Sequence, residues 1–199
     1  MKYLAIVGTN ADVSTNRMLL QFMQKHFAND VDIALCEIKA LPAFYEPEGD
    51  DVPETVAELS EKILDADGVI IATPEYDHAI PAALKSALEW ISYTSQALTD
   101  KPVLIVGASH GVLGSSRAQA HLRQILDSPE LAARIMPSSE FLLGKSQEAF
   151  DYAGKLKYPD KLAELNEVFR EFLLFTEITS KLLAEKAVIK KDKKFTWQE

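Results

Sequence analysis

A three-layer α/β domain with a parallel sheet is the fold class this sequence predicts. Short apolar runs alternate with amphipathic stretches of helical length, and two of those runs, 68–73 and 102–108, are apolar throughout. Strict alternation of strand and helix produces right-handed crossovers and a parallel sheet covered on both faces. Strands buried on both faces read as continuous apolar runs rather than alternating ones.

The elements follow in order. YLAIVG (3–8) opens as the first strand, and Ser14 is placed to cap a helix over 14–28. VDIALCEI (31–38) is the second strand, followed by a helix over 53–65. GVIIAT (68–73) and PVLIVGA (102–108) are the third and fourth, each followed by a helix, over 80–93 and 115–127. SEFLLG (139–144) is the fifth, and a long helix starts near 160 and runs to about 186. In that helix Leu162, Leu165, Phe169, Phe172, Phe175, Ile178 and Leu182 recur at gaps of three or four, which predicts one apolar face. The 199 residues suit one domain, 1–199, with an extended C-terminal helix and tail from about 160. The tail carries Lys186, Lys190, Lys191, Lys193 and Lys194 ahead of Phe195 and Trp197 and reads as a solvated end.

Composition narrows the function classes. A formal charge of −9 argues against general nucleic-acid binding, which needs basic patches to neutralise phosphates. No apolar run approaches the ~18 residues of a membrane span. A single cysteine, Cys36, forms no internal disulfide, which points to a reducing, cytoplasmic setting.

Ligands of open parallel sheets sit beyond the carboxyl ends of the strands, so the loops after strands one, three and four carry the information. The first, GTNADVSTNR (8–17), offers the hydroxyls of Thr9, Ser14 and Thr15 and the amides of Asn10 and Asn16 at a helix N-terminus. That is an anion site or an ordinary capped turn, and Arg17 stands ready to add charge to it. The loop lacks Gly-Lys-Ser/Thr, Gly-x-Gly-x-x-Gly and a cysteine nucleophile, and strand three ends without an aspartate. A nucleotide P-loop, a dinucleotide fingerprint, a phosphatase loop and a phospho-acceptor are thereby excluded. In the second loop, Pro74 and Pro81 bracket Glu75, Tyr76, Asp77 and His78 in a rigid path suited to a flat ligand. In the third, Gly107, Gly111 and Gly114 let backbone approach a ligand, with Ser109 and His110 beside them.

Together the segments GTNADVSTNR, TPEYDHAIPAALKSALEW and GASHGVLGSSRAQAHLRQIL resemble the NADPH-dependent FMN reductase family over roughly residues 2–145. The resemblance implies a flavodoxin-like three-layer sandwich with a five-stranded parallel sheet in the order 2-1-3-4-5. It implies noncovalent FMN and NADPH or NADH as electron donor. Electrons would pass by a ping-pong mechanism to a small-molecule acceptor such as a quinone, a flavin or an azo compound. By the same resemblance Thr9, Ser14, Thr15 and Asn16 hold the FMN phosphate. Pro74, Glu75, Tyr76 and Asp77 run beside the ribityl chain and ring, and Ser109, His110 and Gly111 approach the pyrimidine edge. A homodimer or homotetramer with the 80–93 helix at the contact is implied too. Two positions depart from the family pattern: Ala11 stands where an arginine is common, and Asp77 where an asparagine is common. A carboxylate at 77, if near the ring, would lower the flavin's reduction potential. The alternatives are a flavodoxin-like electron carrier and a flavin-free regulatory or interaction module.

Overall fold

The computed structural model describes residues 1–47 and 51–192; Lys193, Lys194, Phe195 and Trp197 lie outside the described residues. The central strands are β1 (Lys2–Val7), β3 (Gly68–Ala72) and β4 (Pro102–Ala108). β3 and β4 are buried at every position, as their unbroken apolar character requires. β2 (Asp32–Glu37) lies at one edge, with Ile33 and Cys36 inside and Asp32 and Glu37 outside. Burial pushes the Cys36 thiol pKa up, which leaves it unreactive.

All strand pairings are parallel, in the order β2-β1-β3-β4, with a two-residue strand at Arg134–Ile135 beyond β4. The expected fifth strand is present as Phe141–Leu143, here β6, but it shares its place with β5 (Arg134–Ile135), which the sequence pattern did not reveal. Both pair with the outer edge of β4, β5 along Pro102–Val103 and β6 along Val106–Ala108. Between them Pro137 has no N–H to donate, and Ser138 sits at φ 55. The chain bulges out there, and the Arg123 guanidinium holds the bulge by donating to the carbonyls of Met136 (2.9 Å) and Ser139 (3.0 Å).

Helices α1 (Thr15–His26) and α5 (Pro159–Asp192) cover one face of the sheet. Their contact includes the stacked rings of Phe27, just past α1, and Phe169, 3.9 Å apart. Helices α2 (Glu54–Asp65), α3 (Ala82–Thr94) and α4 (Ser116–Leu126) cover the other face. Trp90 of α3 is fully buried, and its indole N–H donates to the Pro42 carbonyl at 3.0 Å. The Lys85–Glu89 pair spans one turn of the partly exposed surface of α3.

α5 departs from its expected face. Leu165, Phe169 and Phe172 are buried, but the inward positions then pass to Thr176 and Thr179. Ile178 and Leu182 stand 64% and 54% exposed, with Leu174 at 60% on the same outer side. A row of three- and four-residue gaps slides around a helix of 3.6 residues per turn, so the face read from spacing drifts off the core. The far end of α5 is tied down by Lys186, which reaches the Asp100 carboxylate at 2.9 Å beside Arg134 at 2.7 Å.

Burial alone would raise the Asp100 pKa, but hydrogen bonds from Lys186 and Arg134 outweigh it and hold the pKa below the usual carboxylate range. A folded-state pKa below the unfolded one stabilises the fold above the unfolded value, near 4, and that contribution is lost as pH falls through the folded value. Asp100→Asn is therefore expected to lower stability by about 1 kcal/mol at pH 7 and by less at pH 3, below the unfolded value. Urea unfolding of both proteins at the two pH values measures it.

Candidate functional site

β1 and β3 end side by side because Gly8 has no side chain. A Cβ there would stand 2.5 Å from the Ala72 carbonyl, to which the Gly8 N–H itself donates at 2.8 Å. This contact sets the first loop against the third-strand loop, where the buried Thr9 hydroxyl lies 3.4 Å from that of Tyr76. Ser14 is extended and caps α1, its Oγ accepting the Arg17 N–H at 3.3 Å. The N–H groups of Thr15 and Asn16 precede the first intrahelical bonds and find no acceptor among the described residues. They form the positive end of a twelve-residue helix.

Asn16 plays a different part from the one its sequence suggests. Its side chain is buried; Nδ2 donates to the Ala108 carbonyl at 2.8 Å, and Oδ1 accepts the Ala108 N–H at 2.9 Å. The amide clamps the start of α1 to the end of β4, which leaves the backbone N–H as the group Asn16 offers to an anion. Arg17 is likewise committed to the architecture. Its guanidinium forms two bonds with Glu37 (2.6 and 2.8 Å) and donates to the carbonyls of Asp12 and Ala11. It braces the loop from behind and adds no free charge at its mouth. Ser146, which the sequence did not single out, brings its Oγ to 2.8 Å from the Thr15 hydroxyl from a 3-10 turn after β6.

The third-strand loop closes in a two-residue turn. Tyr76 and Ala79 exchange both backbone bonds (3.0 and 2.9 Å), with Asp77 and His78 at φ 48 and 64. These are the angles of a type I′ hairpin turn, in which aspartate and asparagine are among the favoured residues. Asp77 thus stands exposed at the turn tip and does not line the neighbouring cleft, so its redox role finds no support in its position. Glu75 turns the other way. Its carboxylate accepts the N–H groups of Arg117 (3.0 Å) and Ala118 (3.4 Å) and an Arg117 side-chain N–H (3.3 Å). It caps α4 in place of Ser115, which sits left-handed at φ 69 and makes no side-chain cap. Pro74 is buried beneath this loop.

The fourth-strand loop is fastened to the chain after β6. Ser109 N–H donates to Leu143, Lys145 N–H to Gly111 and Ser146 N–H to Ser109, each at 3.0 Å. Its glycines divide in role. At Gly107 a Cβ would lie 1.9 Å from the Ser115 hydroxyl, so that glycine serves packing. Above Gly111 a Cβ would meet nothing within 4 Å, which leaves its backbone open to a ligand.

The three loops enclose a cleft of about 470 Å³ at the carboxyl ends of the strands. Ser14, Thr15, Asn16, Glu75, Tyr76, Ser109, His110 and Gly111 line it, with Val112, Leu113 and Arg117 completing the wall; Thr9 adjoins it through Tyr76. A larger groove of about 950 Å³ lies at the bulge between β5 and β6 and includes none of these loops. No group of His, Cys, Asp and Glu suited to a metal ion occurs among the described residues.

Asn16→Ala removes both bonds to Ala108 and leaves two buried backbone groups unpaired. Denaturant unfolding is expected to show a loss of roughly 2–4 kcal/mol, against less than about 0.5 kcal/mol for Asn10→Ala in the exposed part of the same loop.

Residues 1–148 match the family described as NADPH-dependent FMN reductase. Among curated proteins, the NADH:(hydroxy)cinnamate reductase subunit CrdA of Vibrio ruber is 75% identical, over 100% of this chain and 98% of its own. The NADH-dependent flavin reductase subunit 2 of Lactobacillus johnsonii is 44% identical, over 91% and 100%. The quinone reductase of Escherichia coli is 36% identical, over 76% and 81%. Among solved structures, the flavoenzyme NAD(P)H:(acceptor) oxidoreductase FerB of Paracoccus denitrificans superposes with a TM-score of 0.74 at 25% identity, over 90% of this chain and 97% of its own. The fold is flavodoxin-like, and the chain belongs to the NADPH-dependent FMN reductase family.

Proposed function

We propose that the cleft holds FMN noncovalently, with its phosphate at the start of α1 and its ring between Tyr76 and the Ser109–Gly111 loop. The observation that carries this reading is the pairing of unpartnered N–H groups at the N-terminus of α1 with the open backbone of Gly111 in one cleft. Helix N-termini bind phosphate through such donors. When bound, the flavin would accept hydride from a reduced nicotinamide and pass electrons to the acceptor. The protein's own part is to grip and orient. Thr15 and Ser146 share a hydroxyl contact and present further donors beside the α1 amides. Tyr76, 48% exposed, offers a ring edge and hydroxyl along the cleft. The N–H groups of His110 and Gly111, which find no acceptor among the described residues, suit the pyrimidine oxygens of a flavin.

Two tests follow. Reconstitution with excess flavin and release by heat should yield FMN, and steady-state NADH or NADPH oxidation with a quinone should give parallel double-reciprocal lines. Recovery of FAD, or absence of any bound flavin, overturns the cofactor assignment.

Association with a different polypeptide is a second reading, favoured by the outer face of α5, where Leu174, Ile178 and Leu182 stand exposed, and by the two relatives named as subunits. A homodimer or homotetramer through α3, as the family resemblance suggests, is the competing assembly. Sedimentation of the pure chain over a hundredfold concentration range separates them. A monomer throughout favours the different polypeptide, and a dimer that survives Ile178→Glu favours α3.

A further inference from the structure

Beside the flavin cleft lies a second pocket, of about 420 Å³, and the two share Val112 and Leu113 as a common wall. Its floor is apolar, from Leu113, Leu142 and the half-buried Tyr158, and Lys145 and Lys161 stand at its edge. The molecule as a whole is acidic, at −9, so two ammonium groups at one small apolar pocket run against the general field.

Lys145 is held there by its backbone. Its N–H donates to the Gly111 carbonyl at 3.0 Å, and its φ of 49 lies in the left-handed region that residues bearing a Cβ disfavour. The preceding Gly144 is required for a separate reason, since a Cβ there would stand 2.5 Å from the Val112 carbonyl. The chain therefore places a lysine, not a glycine, at the left-handed position next to the cleft. Strain kept at such a position points to function. Lys145 is exposed and makes no ion pair among the described residues, whereas Lys161 is paired with Glu164 on its own helix at 2.7 Å.

We propose that this pocket takes the adenosine diphosphate half of the nicotinamide donor, with Lys145 on the 5′-diphosphate and the adenine against Tyr158 and Leu142. This rests on the reading that the adjacent cleft holds the flavin. A dinucleotide whose nicotinamide lies over the ring must extend its other half across a neighbouring surface. The shared Val112–Leu113 wall puts a pocket with apolar and cationic groups directly beside the cleft. A lysine serves a phosphate as a point charge and needs no bidentate geometry.

The test uses the flavin-loaded protein, with ADP as probe. Lys145→Gly removes the ammonium and suits the left-handed backbone, so misfolding does not confuse the outcome. ADP is expected to bind the wild type and compete with NADH. Lys145→Gly should weaken ADP by about tenfold, the loss of one charge-assisted hydrogen bond. It should raise the KM for NADH by a similar factor while turnover at saturating NADH stays within about twofold. Titrated FMN should bind the variant as it binds the wild type. Any of four results overturns the inference: no ADP binding by the wild type, equal ADP affinity in the variant, ADP competing with the acceptor instead of NADH, or a weakened 2′,5′-ADP with unaltered ADP. Failure of the underlying reading looks different: the wild-type protein with FMN then oxidises no NADH at all, whatever ADP does.

Discussion

One buried amide holds the site in register. Asn16 pairs with both backbone groups of Ala108, and through it the first turn of α1 and the end of β4 move as a unit. Each loop contributes something the others lack: donors at a helix end, a ring, and an open stretch of backbone. These meet because β1, β3 and β4 are adjacent in the sheet, but adjacency alone leaves α1 free to slide along the sheet face. Two hydrogen bonds in a water-free environment remove that freedom, since breaking them leaves four polar groups without partners. Gly8 and Gly107 act in the same sense by letting backbones approach where any side chain would wedge them apart.

The ionised groups that the first two loops bring to the cleft are engaged in building it. Arg17 braces the first loop against Glu37, and Glu75 caps α4 while binding Arg117. An anion at the start of α1 would therefore meet backbone amides and hydroxyls, with no guanidinium where Ala11 stands. Binding by oriented neutral donors depends on the rigidity of the frame more than on charge, which is why the clamps matter. The same division separates residues that touch the cleft from residues that shape it, although they lie side by side in sequence.

Much of the fold was legible because burial on both sheet faces writes itself as unbroken apolar runs. β3 and β4 appear within a residue of where their composition places them, and the three informative loops do lie together. β5 was hidden because two residues carry no periodicity. The direction of Glu75 was hidden because the residue that needs its carboxylate, Arg117, lies 42 positions away. Ser146 gave no signal at all, since its contact with Thr15 spans 131 positions. The lower half of α5 misled because spacing gives a period but not the phase at which threonine replaces phenylalanine against the sheet. The tight turn at Asp77 and His78 was readable in principle, because aspartate is among the residues such turns favour.

The divided strand at the β4 edge has a consequence for the protein's solubility. An open sheet ends in a row of unsatisfied peptide groups, and a long straight edge invites another chain to add itself. Here the outer strand is two residues, then a bulge carrying Pro137 and a left-handed Ser138, then three residues. No incoming strand can follow that outline for more than a few peptides before meeting the bulge or the helix α5 beside it. At the opposite border β2 is short and carries the exposed Asp32 at one end and the Arg17-paired Glu37 at the other. Both borders are thus poor templates, and the parallel sheet ends where the fold ends.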